Sequence, residues 1–515
     1  MGANDDITVP WGLAGVRGDL RRRSPVYFRD WIDGFHAKVA AASGFLFFAC
    51  LAPAVAFGAL MSGLTGGAMG AVEMIVATSA CGVIYAVFAG QPLTILGGTG
   101  PLLVFTGLLY GTCKQYDLPF LPTYAWVGLW TAVFVVALGL SGASRLIHHL
   151  TRFTDEIFAA LISIIFVYQA IASVLHAFPA SHIPDDTALF GLVLALGTYS
   201  VARALSRFRK TPYLRGPIRE GLADFGPALA VVGMVAARGL LPTVALPHLD
   251  VPETFATTSG RPWLVPVFDA PNWVRWASAA PAALVAVLVF LDQNVTVRIV
   301  QSPQNGLTKG SAYHWDLILV GVLLGVCSLF GLPWLVAATV RSVNHVRALT
   351  KTPTNAPGDR AAPPAASAGV VENRISPLVV HALIGISLLV TSWLRLVPMA
   401  VLYGLFLYMG VASMRGNQFF ERLRLWLTDP ALFPSTHYVR RVPPRVIHGF
   451  TVVQVVCLGV LWFVKSSAIG ILFPVFIALL VPVRALLARF IAPAHIAALD
   501  ADEAPSDVED EFAGP

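Results

Sequence analysis

The sequence predicts an all-α, polytopic membrane protein with about 14 transmembrane segments. Three observations carry that prediction: scarcity of charge, a series of uncharged runs of spanning length, and basic residues on alternate connections. Of 515 residues, 56% are hydrophobic and only 12% charged, with a mean hydropathy of +0.71. A soluble chain of this length carries roughly a quarter charged residues, so lipid is the solvent for much of this surface. A spanning helix needs about 20 apolar residues, and runs such as 45–60, 121–140 and 452–464 supply most of that length without a charge. The net charge of +6 is explained by connections facing anionic headgroups, and no nucleic-acid partner is expected. The five cysteines show neither metal-ligand spacing nor a disulfide framework. No cleavable signal peptide is expected, because the N-terminus is polar and the first long apolar run begins near Lys38.

Apolar runs bounded by Gly, Pro and charges place spans near 38–63, 67–90, 98–112, 122–142, 154–177, 187–204, 222–245, 275–300, 314–331, 335–350, 376–396, 398–414, 446–464 and 467–490. With the N-terminus inside, the cytoplasmic stretches are Arg21–Arg23, Arg145–Arg152, Arg203–Arg219, Arg298–Lys309, Arg347–Arg374, Arg415–Arg445 and Arg484–Arg489, and all are basic. The outer connections hold little besides Lys114, Arg261, Arg275, Arg395 and Lys465. The positive-inside rule therefore favours an even number of spans with both termini cytoplasmic. Residues 353–367 read as a flexible linker, and 498–515 as an acidic, solvated tail.

Two segments interrupt the helical pattern in corresponding places. Residues 90–101 (GQPLTILGGTGP) open the third span, and residues 330–341 (FGLPWLVAATVR) open the tenth. Gly/Pro-interrupted short helices in matching positions are the best sequence pointer to a transporter's binding site. Seven spans separate them, so the two halves are expected to be inverted. Facing half-helix N-termini present free N–H groups and two positive dipole ends, a seat for a small anion. Gly98, Thr99, Gly100, Thr339 and Val340 are the expected contacts. The plainer reading is that both segments are ordinary kinks at close helix contacts.

Arg341 stands in the first turns of the tenth span, where a guanidinium is costly unless it is paired or lines an aqueous cavity. Its planar fork suits a carboxylate-like anion such as bicarbonate. Alternatively it snorkels to the headgroups. Asp292 follows the uncharged run 281–291 late in the eighth span. It is a candidate to pair with Arg341, carry a proton, or join Thr296 in a coupling-cation site. His314, His345 and His381 are read as hydrogen-bonded structural groups, and Lys465 as an outer anchor that attracts anions. No nucleophile–base arrangement or metal-spaced cluster stands out, so no enzyme, catalytic residue, metal or cofactor is expected.

Residues 290–296 (FLDQNVT), 309–317 (KGSAYHWDL) and 331–345 (GLPWLVAATVRSVNH) resemble the band 3-type bicarbonate transporter family. So do 151–156 (TRFTDE), 161–168 (LISIIFVY), 440–448 (RRVPPRVIH) and 462–466 (WFVKS). The resemblance runs from about Arg29 to Arg489. It implies fourteen spans in two inverted seven-span repeats, with a core domain (38–142 and 275–396) moving against a gate domain (143–245 and 398–490). Residues 1–37 and 491–515 would be cytoplasmic. It further implies a homodimer through the gate, a plasma (inner) membrane location, and a substrate site between half-helices 3 and 10. Arg341 stands at the exchangers' substrate-site arginine. Asp292 stands where exchangers have glutamate and sodium-coupled members aspartate, and Lys465 matches an outer lysine that reacts with stilbenes.

There are departures. Residues 94–101 are closer to the sodium-coupled pattern, Gln169 replaces a glutamate, and Ser173 stands where exchangers often carry a second reactive lysine. The large cytoplasmic N-terminal domain of animal members is missing from this sequence, so cytoskeletal anchoring is not expected. The tail from Leu499 resembles one proposed to recruit carbonic anhydrase, which is not counted among the expected partners. The expected function is chloride/bicarbonate exchange. Sodium-coupled bicarbonate or carbonate symport is the alternative, and borate export the third.

Overall fold

A computed structural model describes residues 12–144, 146, 151–178, 184–208, 211–249, 251–252, 255–302, 305–350, 369–390, 395–467 and 469–501. The linker 353–367 and tail residues 502–515 lie outside these. The described chain divides into two compact units, Met1–Arg145 with Ile171–Tyr408, and Leu146–Ala170 with Met409–Pro515. Their borders fall at other residues than those of the expected core and gate domains.

In the first unit the order is α1 (Ala14–Arg23), α2 (Tyr27–Ile32), α3 (Ala37–Leu64), α4 (Ala71–Phe88), β1 (Leu96–Gly97), α5 (Gly100–Gln115) and α6 (Phe120–Ser141). Helix α7 (Arg152–Leu175) runs from the second unit into the first, followed by α8 (Asp185–Arg207), α9 (Gly216–Asp224), α10 (Gly226–Arg238), α11 (Asn272–Ala277) and α12 (Ala279–Val300). Then come α13 (Tyr313–Leu329), β2 (Val336–Ala337), α14 (Thr339–Leu349) and α15 (Ile375–Ile386). Among the described residues, eight helices are long and apolar enough to cross a membrane, and three shorter apolar helices accompany them. Met399–Ser413 and Gln418–Leu425 form a further pair bent by 73°.

The chain breaks where its chemistry requires. The expected span 222–245 divides between α9 and α10 at Phe225, because Pro227 cannot donate to the previous turn. Helix α6 stops at Gly142, whose φ of +80° is the left-handed conformation that favours glycine at a helix end. Helix α4 starts with the Glu73 carboxylate accepting from the Gly70 N–H at 2.9 Å. The same carboxylate accepts from the Thr258 N–H at 2.8 Å, which ties the long 239–271 connection to this helix start.

Small residues let the helices close on one another. A β-carbon on Gly128 would lie 1.8 Å from the Ser328 hydroxyl, and one on Gly139 would lie 2.5 Å from Ile318, so α6 and α13 meet through glycine. Gly82 of α4 similarly admits the His381 ring of α15.

Buried charges anchor the described part of the N-terminal segment. Asp19 of α1 accepts from the His314 and Trp315 N–H groups at 2.8 and 2.9 Å and so caps α13. Asp30 is fully buried and receives three cations: Arg23 at 2.8 Å, Lys309 at 2.9 Å and Arg374 at 3.2 Å. Glu372 sits 3.7 Å from Arg23, and its side chain accepts from the N–H groups of Thr308 and Lys309. The cluster pins α1 and α2 to the start of α15.

In the second unit Glu156 and Arg422 form a buried ion pair, completed by Gln454, which donates to Glu156 at 3.0 Å. The stretch expected to be solvated from Ala498 begins as docked chain. Ala498 and Leu499 are buried, and Asp500 accepts from Arg484 Nε at 2.9 Å.

Candidate anion site

The interrupted segments meet. β1 and β2 pair antiparallel, with Leu96 opposite Ala337 and Gly97 opposite Val336, and the Ala338 N–H donates to the Ile95 carbonyl at 2.8 Å. Each strand is two residues long and runs directly into a short helix. Extended backbone inside an apolar unit must have its polar groups satisfied, and here each strand satisfies the other.

Side chains supply the remaining partners. Asp316 accepts from the Gly90 and Gln91 N–H groups at 2.6 and 3.0 Å. Nδ1 of His345 bonds the Leu93 carbonyl at 2.8 Å, and Nε2 bonds Ser376 at 2.7 Å, so this histidine is structural, as its sequence context indicated. Ser342 accepts from the Ile95 N–H at 2.9 Å. Gln293 accepts from the Ala337 N–H at 3.0 Å and donates to the Tyr85 hydroxyl at 3.2 Å. Before β2, Trp334 stacks on Tyr124 at 4.1 Å and donates to Ser328 at 2.9 Å. The Tyr124 hydroxyl donates to the Leu332 carbonyl at 3.0 Å. Gln293 and Asp316 lie within the family-like segments 290–296 and 309–317, but nothing in the sequence assigns them or Tyr124 these roles, because their partners lie tens to hundreds of positions away.

The predicted site residues distribute around this ribbon. Gly98 packs beneath Met74 and Phe57, Gly100 begins α5 and Thr339 begins α14. Thr99 donates its hydroxyl to Asp292 at 2.8 Å. The Thr339 hydroxyl lies 2.7 Å from that of Thr296, and the Thr296 hydroxyl also lies 3.2 Å from the Ala337 carbonyl. The Thr99 hydroxyl proton is therefore committed within the protein. The helix starts also offer backbone N–H groups of their first turns, minus the one that Pro101 lacks. The Val340 side chain is 63% exposed.

Arg341 is 7% exposed, and its Nη1 is buried without a hydrogen-bond partner. The Phe57 ring of α3 lies beside it, with the ring centroid 5.9 Å from Cζ. Among the described residues it forms no ion pair, and Asp292, buried on α12, is not its partner. Asp292 accepts from the Thr99 hydroxyl, while the Arg341 guanidinium lies against the Phe57 ring. Lys465 belongs to the second unit, where its Nζ lies 4.5 Å from the Trp462 ring centroid and 5.7 Å from that of Tyr168.

The Arg341 guanidinium, with no ion-pair partner among the described residues, thus stands in the first turn of α14 and against Gly97, three residues before α5 begins. The family described as the HCO3- transporter integral membrane domain matches residues 10–184 and 178–504. The chain is 38% identical over 543 residues to anion exchange protein 3 of Homo sapiens, covering 97% of this chain and 44% of that protein. It is 37% identical over 540 residues to the band 3 anion transport protein of Homo sapiens, covering 99% and 58%. The chain thus spans about half the length of the curated relatives it matches. In fold it is similar to the transmembrane domain of a cyanobacterium bicarbonate transporter BicA, with a TM-score of 0.60, 18% identity, and coverage of 86% of this chain and 97% of that one. SLC26A9 gives a TM-score of 0.59 at 14% identity, covering 93% and 69%. Family match, relatives and membrane helices agree: this chain is an integral membrane protein of the anion exchanger/bicarbonate transporter family.

Proposed function

We propose that the chain exchanges chloride for bicarbonate by alternating access, with the anion held beside Arg341 between the N-termini of α5 and α14. The observation that carries this reading is the Arg341 guanidinium, buried and without a counter-ion. A lone positive charge crossing a low-dielectric barrier is penalised heavily, and a bound anion cancels the penalty. Loaded carrier then reorients quickly and empty carrier slowly, which is the condition for exchange. In this reading the unit moves as a core against a gate, and fourteen spans form two inverted repeats. The protein is a homodimer through the gate, in the plasma membrane with both termini cytoplasmic. The family match and the alternation of basic connections support these features. The test is efflux of labelled chloride from proteoliposomes. Efflux should require bicarbonate or chloride on the opposite side, and equal efflux into an anion-free buffer would remove the reading.

One observation favours a second reading, sodium-coupled bicarbonate transport. Asp292 is buried, the Thr99 hydroxyl being its one hydrogen-bond partner among the described residues, and Thr296 stands one turn away on the same face of α12. A carboxylate and hydroxyls in that arrangement suit a cation. Asp292→Asn separates the two. Under exchange, the amide oxygen still accepts from Thr99, and the flux should fall by no more than about tenfold, the worth of one charge-assisted bond reduced to a neutral one. Under symport, wild-type flux rises with external sodium and the Asn variant loses that rise.

A further inference from the structure

Gly97 is the last residue of β1, and its role was not legible from the sequence. A β-carbon built there would lie 1.9 Å from Arg341 Nη1, 2.9 Å from Cζ and 3.5 Å from Nη2. Its three nearest neighbours are therefore one guanidinium. The backbone does not require glycine here, because Gly97 is not among the residues with positive φ. Its neighbour Gly98 differs: a β-carbon there would meet Met74 at 3.3 Å, a contact that a flexible thioether can relieve. What Gly97 provides is an absence of side chain directly against Nη1 of the arginine, whose Cζ lies 5.9 Å from the Phe57 ring centroid.

We propose that Gly97 is a positioning and selectivity residue, the floor of a seat that sets how deep the Arg341 guanidinium lies and which way its fork faces. This rests on the reading of Arg341 as the anion's counter-charge. An alanine at this position forces the guanidinium back by about 1.5 Å, the difference between 1.9 Å and an ordinary contact of 3.4 Å. Displacements of that size cost up to roughly a hundredfold where geometry matters. The two anions respond differently. Bicarbonate is planar and engages a fork with two oxygens, so it depends on the fork's orientation. Chloride is spherical and senses mainly distance.

Exchange is measured in proteoliposomes for wild type, Gly97→Ala, Arg341→Lys, Gly97→Ala/Arg341→Lys and Arg341→Ala, with both anions titrated. Gly97→Ala should raise the half-saturating bicarbonate concentration about tenfold more than that of chloride, with the maximal rate changed far less. Lysine has no Nη1 to meet the new methyl, so Arg341→Lys should cost less when added to Gly97→Ala than when added to the wild type. Equal shifts for the two anions, or costs that simply multiply, would overturn the seat. If Gly97→Ala alone does not yield folded protein, folding restored in the double variant still supports it, and failure of both overturns it. Full activity of Arg341→Ala would instead remove the underlying reading, whatever the Gly97 variants do.

Discussion

Arg341→Ala should reduce chloride/bicarbonate exchange by at least about a hundredfold while leaving the protein as stable as wild type. The two halves of that expectation come from the same geometry. A guanidinium offers two charge-assisted hydrogen bonds to one anion, each worth about 1.5–3 kcal/mol, and about 2.7 kcal/mol is already a hundredfold. Most buried arginines also hold the fold together, so removing them strands a partner and costs about 3–5 kcal/mol. Arg341 has no such partner among the described residues, since Asp292 binds Thr99 and the arginine faces Phe57. Removing it leaves a cavity and relieves an uncompensated charge. Flux in proteoliposomes, together with thermal unfolding in detergent, separates the two effects. A variant that is inactive because it is unfolded would count against this role for the site.

Asp30→Asn should do the opposite, destabilising the protein through a residue remote from the ribbon. One fully buried carboxylate receives Arg23, Lys309 and Arg374, and these tie α1 and α2 to the start of α15. Neutralising it removes the one carboxylate that all three cations share, leaving Glu372 at 3.7 Å from Arg23. Breaking a buried ionic cluster at its centre costs about 3–5 kcal/mol. The control is Asp33→Asn, because Asp33 also pairs with Lys309, at 2.7 Å, but its side chain is 40% exposed. An exposed pair is worth below about 1 kcal/mol. The unfolding temperature should therefore fall clearly for Asp30→Asn and little for Asp33→Asn.

The contrast between Arg341 and Asp30 shows what a sequence of this kind reveals. Residues 90–101 and 330–341 announce themselves, because Gly and Pro inside apolar runs leave backbone groups that only a special site can satisfy. Arg341 and Asp292 stand out for a related reason: charge at such positions is expensive and rare. The strand pairing of Leu96–Gly97 with Val336–Ala337 leaves no such trace, since it joins segments some 240 positions apart. Asp30, Lys309 and Arg374 look like ordinary interfacial charges until the fold brings them together. Thr99 and Thr339 stand at the helix starts, where the Thr99 hydroxyl donates to Asp292 and the Thr339 hydroxyl lies against that of Thr296. Periodicity cannot say which way a hydroxyl proton points. Gly97, in the middle of a glycine-rich motif, is indistinguishable from its neighbours until the position of the guanidinium is known.

The central claim is that a small anion sits beside Arg341 at the starts of α5 and α14. Crystals of the protein grown in bromide, a chloride substitute visible by its anomalous scattering, test it most directly. A bromide peak is predicted within hydrogen-bonding reach of the Arg341 guanidinium and the first-turn N–H groups of α5 or α14, and it should be lost in Arg341→Ala. Bromide bound only elsewhere, or a peak at this place that survives Arg341→Ala undiminished, would contradict it.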